Sequence, residues 1–231
     1  MLEAIAVDCA ERTTREINRA IRGAVAEGRQ VRVTDPGAQH NLAVAVLRAG
    51  EIVIEGSAGY YCGGMNDGAT IEIRGSAGWG VGEGMLSGRI TVHGNAGNAA
   101  AASIRGGTVV VRGDCAARAG VAMKGGLLLV GGDAGYMTGF MMQRGAIVIG
   151  GDAGDALADS MYEGVIFLGG DVASLGNDAV FADVTAEDER MLADAYAASG
   201  LELPRKLRKV VSGRRLWNFE RSDMAAWREA L

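Results

Sequence analysis

Glycine returns at Gly56, Gly75, Gly94, Gly113, Gly132, Gly151 and Gly170, and every step is nineteen residues. Four residues before each stands an aliphatic: Ile52, Ile71, Ile90, Val109, Leu128, Ile147 and Ile166. Two residues before each stands another: Ile54, Ile73, Val92, Val111, Val130, Ile149 and Leu168. Alternation of this kind places one face of a strand in a core. β-Branched residues dominate both columns, as strands favour. Nineteen residues are too few for a strand–helix–strand unit, which needs about thirty, but they suffice for one coil of a solenoid. The repeat therefore predicts a mainly β chain, a parallel β-helix of about seven coils with short helical segments at both ends. At ~4.8 Å per coil the rod is about 30 Å long.

The intervening column reads Val53, Glu72, Thr91, Val110, Leu129, Val148 and Phe167. It points outward and turns apolar from Val110 onward, so something must cover it. The chain's own terminal segments and a partner subunit are equally suited. Each strand runs into a small-residue corner such as Gly75-Ser76-Ala77-Gly78 or Gly151-Asp152-Ala153-Gly154. Glycine there allows positive φ, and Asp or Asn side chains can bond the turn. The carboxylates Asp114, Asp133, Asp152 and Asp171 fall in one column; a cation ladder is conceivable, but corner hydrogen bonds are the better reading. Met65, Met85, Ile104, Met123, Met141 and Met161 are expected to plug the interior. A second glycine group at Gly68, Gly88, Gly106-Gly107, Gly125-Gly126, Gly145 and Gly164 closes each coil.

Stacked coils need caps, which divides the chain into 1–48, 49–180 and 181–231. In the first part Thr13 with Glu16 forms a capping box. Ile17, Ala20, Ile21, Ala24 and Val25 follow helical spacing, and Gly28 stops it. Val31 to Thr34 and Leu42 to Leu47 read as irregular strands. In the last part Thr185 precedes an acidic first turn and an alanine-rich helix ending near Gly200. Beyond it Arg205, Lys206, Arg208, Lys209, Arg214 and Arg215 crowd ahead of Leu216, Trp217 and Phe219. Such a segment suits docking to an acidic neighbour better than nucleic acid.

Composition narrows the function. Glycine occurs 37 times and proline twice in 231 residues, which excludes collagen. A net charge of −5 opposes a general nucleic-acid binder. No apolar run reaches the ~18–20 residues of a membrane helix. The first thirty residues lack a signal-peptide core, so a cytoplasmic location is expected. Cys9, Cys62 and Cys115 stand apart, without the spacing of a zinc site, a disulfide framework or an iron–sulfur cluster. His93 reads as a corner residue and completes no Ser–His–acid set. Gly78-Trp79-Gly80-Val81-Gly82-Glu83-Gly84 sits inside the repeat, not between a strand and a helix, which weakens a dinucleotide reading. Gly131-Gly132-Asp133 and Gly150-Gly151-Asp152 lack the nine-residue period of calcium-binding β-helices. A steady nineteen also disfavours hexapeptide acyltransferases. Aromatic residues make up 5% of the chain, too few for the platforms of a saccharide-cleaving β-helix.

The run Gly75-Ser76-Ala77-Gly78-Trp79-Gly80-Val81-Gly82-Glu83-Gly84-Met85, with Ser87-Gly88-Arg89-Ile90, resembles the GXGXG domain. That domain closes the large subunit of glutamate synthase and also forms subunits of formylmethanofuran dehydrogenase and of the formyltransferase/hydrolase complex. The resemblance spans about residues 15 to 180. With Asn18-Arg19-Ala20-Ile21-Arg22 and His40-Asn41-Leu42-Ala43-Val44 ahead of the repeat, a free-standing chain of this kind looks most like the β-helix subunit of N-methylglutamate synthases. The resemblance implies a right-handed helix and no catalytic, cofactor-binding or metal-binding residue in this chain. It implies two partners, an amidotransferase-like subunit and an FMN-binding glutamate synthase-like subunit. FMN and any iron–sulfur cluster would belong to the latter. Membranes and nucleic acid are not expected partners. Partner contacts are expected at Trp79, Gly80, Gly82, Glu83 and Gly84, and in the tail at Arg214, Arg215 and Trp217.

Overall fold

A computed structural model describes residues 4–202, 204 and 206–213. Its core is a parallel β-helix. The strands are β1 (Ile5–Asp8), β2 (Val31–Thr34), β3 (Glu51–Ile54), β4 (Asp67–Ile73), β5 (Ser87–Val92), β6 (Thr108–Val111), β7 (Lys124–Val130), β8 (Arg144–Ile149) and β9 (Val165–Leu168). They stack in sequence order into one parallel sheet. Register follows the repeat: Ile52 pairs Ile71, Ile71 pairs Ile90, Ile90 pairs Val109, and so on to Ile166. Both inward aliphatic columns are buried. The corners form a second, minimal ladder of single bridges through Ala58, Ala77, Ala96, Cys115, Ala134, Ala153 and Val172.

The third side of each coil is a turn with an unusual backbone. Every second residue is left-handed: Tyr61, Gly63 and Met65; Gly80, Gly82 and Gly84; Ala99, Ala101 and Ser103; Arg118, Gly120 and Ala122; Met137, Gly139 and Met141; Ala156, Ala158 and Ser160. Asn41, Ala43 and Ala45 open the series. Residues 42–47 are therefore the first of these turns and not the irregular strand expected from sequence. The φ of +53° at Ala43 and +54° at Ala45 rules out a strand there. Most L-residues accept this conformation only at about 1 kcal/mol or more each. The stack offsets that cost by satisfying the turn backbone. Gly82 N–H donates to Cys62 O and Gly84 N–H to Ala102 O, at 2.8 and 2.9 Å.

Counting nineteen from Met85 corrects the interior plugs. Met85, Ile104, Met123, Met142 and Met161 are buried, whereas Met65 and Met141 are 55% and 40% exposed. Both exposed methionines occupy the outward left-handed position. The first coil places Asn66 inside; its amide donates to Ala69 O and Ser87 O and accepts from Ala69 N–H, so no polar atom is orphaned.

The repeat glycines serve space, not positive φ as the sequence suggested; only Gly56 of the seven has positive φ. A methyl on Gly113, Gly132, Gly151 or Gly170 would fall 2.0–2.1 Å from the carboxylate or amide oxygen of Asn95, Asp114, Asp133 or Asp152, respectively. Those oxygens accept the backbone N–H of Asp114, Asp133, Asp152 and Asp171. Ser57 and Ser76 start the same ladder toward Ser76 and Asn95. The aspartate column is thus a chain of corner hydrogen bonds.

Helix α1 (Thr14–Ala26) caps the first coils. Thr13 and Glu16 complete its capping box, and Ile17, Ile21, Ala24 and Val25 turn into the core. At the other end β10 (Ala179–Ala182), α2 (Ala186–Ser199) and β11 (Arg208–Ser212) fold back. β11 pairs antiparallel with β9 and with β10, which ends the parallel stack. Helix α2 starts on a Thr185–Asp188 capping box and stops at Gly200 with φ +71°. Its Leu192 and Tyr196 close over Val110, Leu129, Val148 and Phe167. The apolar outer column is therefore covered by the chain itself. The described part of the basic tail also turns inward: Arg208 donates to Gly170 O and pairs with Asp171, and Lys209 reaches Asp188 at 2.7 Å. These cations neutralise their own chain. Arg214, Arg215 and Trp217 lie outside the described residues.

Candidate partner interface

The glycine-rich turn Gly78–Gly84 divides into buried and surface parts. Gly80 and Gly82 are buried, while Trp79 and Glu83 are exposed and Gly84 is partly exposed. The glycine triplet is first a backbone requirement. Its members stand where the turn needs left-handed residues, at φ +69°, +71° and +67°. A side chain on Gly82 would enter the core, 3.1 Å from Val109 Cγ2 and 3.2 Å from Ile90 Cδ1. One on Gly84 would meet nothing closer than Met65 Cγ at 3.7 Å.

What surrounds this turn was not apparent in its own segment. His40 stacks on Tyr60 at 4.3 Å between ring centroids, and Tyr60 on Trp79 at 5.2 Å. The rings occupy one column, and each lies over the glycine of the next coil. A methyl on Gly78 would strike the Tyr60 ring, and one on Gly97 would strike Trp79, both at 2.6 Å. The faces of the stack are thus filled by one another and by backbone, and the edges reach the surface. The exposed parts of Tyr60 and Trp79 suit a protein surface.

Beside it Tyr61, Met65 and Glu83, with Val44, Gly84 and Ser103, line an open groove of about 270 Å³. Gly80 leaves room for two of the groove's walls. A methyl there would fall 2.6 Å from Tyr61 Cδ1 and 3.0 Å from Glu83 Oε2. The aromatic ring and the carboxylate share the space that one missing side chain leaves. Tyr60, Tyr61, Met65 and Trp79 are exposed large hydrophobics, and two more, Tyr136 and Met141, lie further along the Trp79 and Met65 columns. Enrichment in Tyr, Trp and Met is a mark of interface centres. Of these neighbours the sequence reading singled out Trp79 and Glu83. Tyr60 and Tyr61 stand one repeat before Trp79 and Gly80, and His40 one repeat before Gly59.

The rest of the surface offers less chemistry. Among the described residues no group of three or more His, Cys, Asp or Glu side chains could hold a metal ion. All three cysteines are free and buried. Burial pushes the Cys62 thiol to about 12 and, with a contribution from Asp114, does the same to Cys115. Neither is a thiolate nucleophile at neutral pH. His93 bonds Glu72 at 2.9 Å in an exposed charge row with Arg74, Glu55 and Arg32. Among the described residues nothing covers that half of the outer sheet face. Among the described residues no helix is long and apolar enough to cross a membrane. No protein-family model and no curated protein matches the chain.

Proposed function

We propose that this chain is a non-catalytic scaffold subunit of an N-methylglutamate synthase-type complex. In that role it joins a glutaminase-type amidotransferase subunit to an FMN-binding glutamate synthase-like subunit. The assembly would convert methylamine and L-glutamate into N-methyl-L-glutamate and ammonia, with FMN and any iron–sulfur cluster held by the partner. The observation that carries the reading is the Gly78–Met85 turn. It combines the GXGXG resemblance with the exposed Tyr60–Trp79 edges and the Tyr61–Glu83 groove, an interface-like surface on a rigid rod. Close packing and a saturated backbone suit such a rod to hold two partners at fixed separation.

Purification of the tagged full-length chain from its host, with mass spectrometry and a flavin spectrum, tests this. The expected result is a yellow complex containing an amidotransferase-like and a flavin-binding subunit that forms N-methylglutamate. A chain that purifies alone and turns over a substrate unaided sinks the scaffold reading. Co-purification with formyltransferase and metallohydrolase subunits would instead assign it to a formyl-transfer complex, the other setting of this domain type.

A further inference from the structure

We infer that the groove lined by Tyr61, Met65 and Glu83 receives an arginine side chain from a partner protein. The inference rests on the scaffold reading only in requiring that a partner exists. Glu83 and Tyr61 both lie over Gly80, and among the described residues the Glu83 carboxylate has no ion pair and no side-chain hydrogen bond. The groove therefore presents an unneutralised carboxylate beside a tyrosine ring, with Met65 and Val44 as apolar walls.

A guanidinium matches each part. Its planar fork bonds a carboxylate at two points, and its face stacks on an aromatic ring. Its methylene stem packs on apolar walls such as those of Met65 and Val44. A lysine ammonium would satisfy the charge but not the plane. The exposed Tyr60 and Trp79 edges then form the apolar surround that excludes water from such a pair.

The test uses the tagged full-length chain in its host, with isotope-labelled quantification of what it retains. Wild type is compared with Glu83→Gln and Glu83→Lys. Release from the wild-type bait is titrated with N-acetylarginine amide or with its neutral isostere, N-acetylcitrulline amide. Glu83→Lys should retain about a tenth of the partner or less, Glu83→Gln an intermediate amount, and only the arginine derivative should displace it. Unchanged retention by Glu83→Lys, or equal displacement by both amides, overturns the inference. The displacement arm needs no variant, so misfolding of a mutant cannot mask the answer. A chain that retains no partner overturns this inference and the scaffold reading together. A complex of other composition that still depends on Glu83 sinks only the N-methylglutamate synthase assignment.

Discussion

The Asp133 carboxylate accepts the backbone N–H of Asp152 at 2.7 Å, nineteen residues on. The bond passes through the space that Gly151 leaves, where a methyl would lie 2.1 Å from Asp133 Oδ1. Side chain, amide and glycine are one device repeated along the corner.

That device predicts a coupled pair of substitutions. Asp133→Ala loses one exposed charge-assisted bond and should cost about 1 kcal/mol in urea denaturation. Gly151→Ala should cost more, because the methyl displaces the carboxylate. In the double variant the second substitution should cost markedly less than it does alone. Strict additivity would show that the glycine serves something other than the carboxylate.

The glycine triplet should divide by direction. Gly84→Ala meets open space and bears only the left-handed penalty, about 1 kcal/mol. Gly82→Val adds overpacking against Val109 and Ile90 and should cost about 3 kcal/mol. Equal melting temperatures for the two variants would contradict the inward placement of Gly82.

Helix α2 is the roof of the upper coils. Leu192→Ala should destabilise by about 3 kcal/mol and increase binding of an apolar dye to the face of Val110 and Phe167. Tyr196→Phe should do the opposite. The buried Tyr196 hydroxyl has no hydrogen-bond partner among the described residues, so its removal should stabilise by up to about 1 kcal/mol. A loss of stability on that change would reveal a partner for the hydroxyl.

The same roof should loosen in acid. Burial pushes the Asp188 carboxyl up, but bonds from Lys209 and from the Thr185 amide and hydroxyl outweigh it and leave the pKa below its ordinary value. A depressed folded pKa contributes stability that is complete above the unfolded value, about 3.9, and is lost as pH falls through the folded one. Stability measured downward from pH 5 should therefore drop less in Asp188→Asn than in wild type. Parallel curves would mean that other carboxylates govern the acid limb.

Much of this was legible because the period is strict. Ile52, Ile54 and their repeats declare strand, face and register at once. The left-handed turns were hidden because Tyr61, Arg118 and Met137 stand where Gly80 stands, and those residue types do not announce positive φ. Met65 and Met141 misled for a related reason: residue type was read ahead of register, and the nineteen-residue step points to Asn66 and Met142. The cover of Val110 to Phe167 could not be read from α2, whose apolar residues are few among acids and alanines. The candidate interface was half visible. Trp79 and Glu83 flank a conspicuous motif, but Tyr60 and Tyr61 join them only when one coil is laid on the next.

The return of α2 across the upper coils also makes it a gauge. Its fourteen residues measure about 21 Å, against about 14 Å from β6 to β9 at the usual strand spacing. The chain must still arrive at β11 with Arg208 beside Asp171, the last donor of the corner ladder. Coils from Val110 onward are therefore held to a fixed number by a ruler of fixed length. Among the described residues the coils before it, which carry the Tyr61–Glu83 groove, have no such ruler. In a lineage of such rods, length should change on the groove's side of Val110 and stay constant on the other.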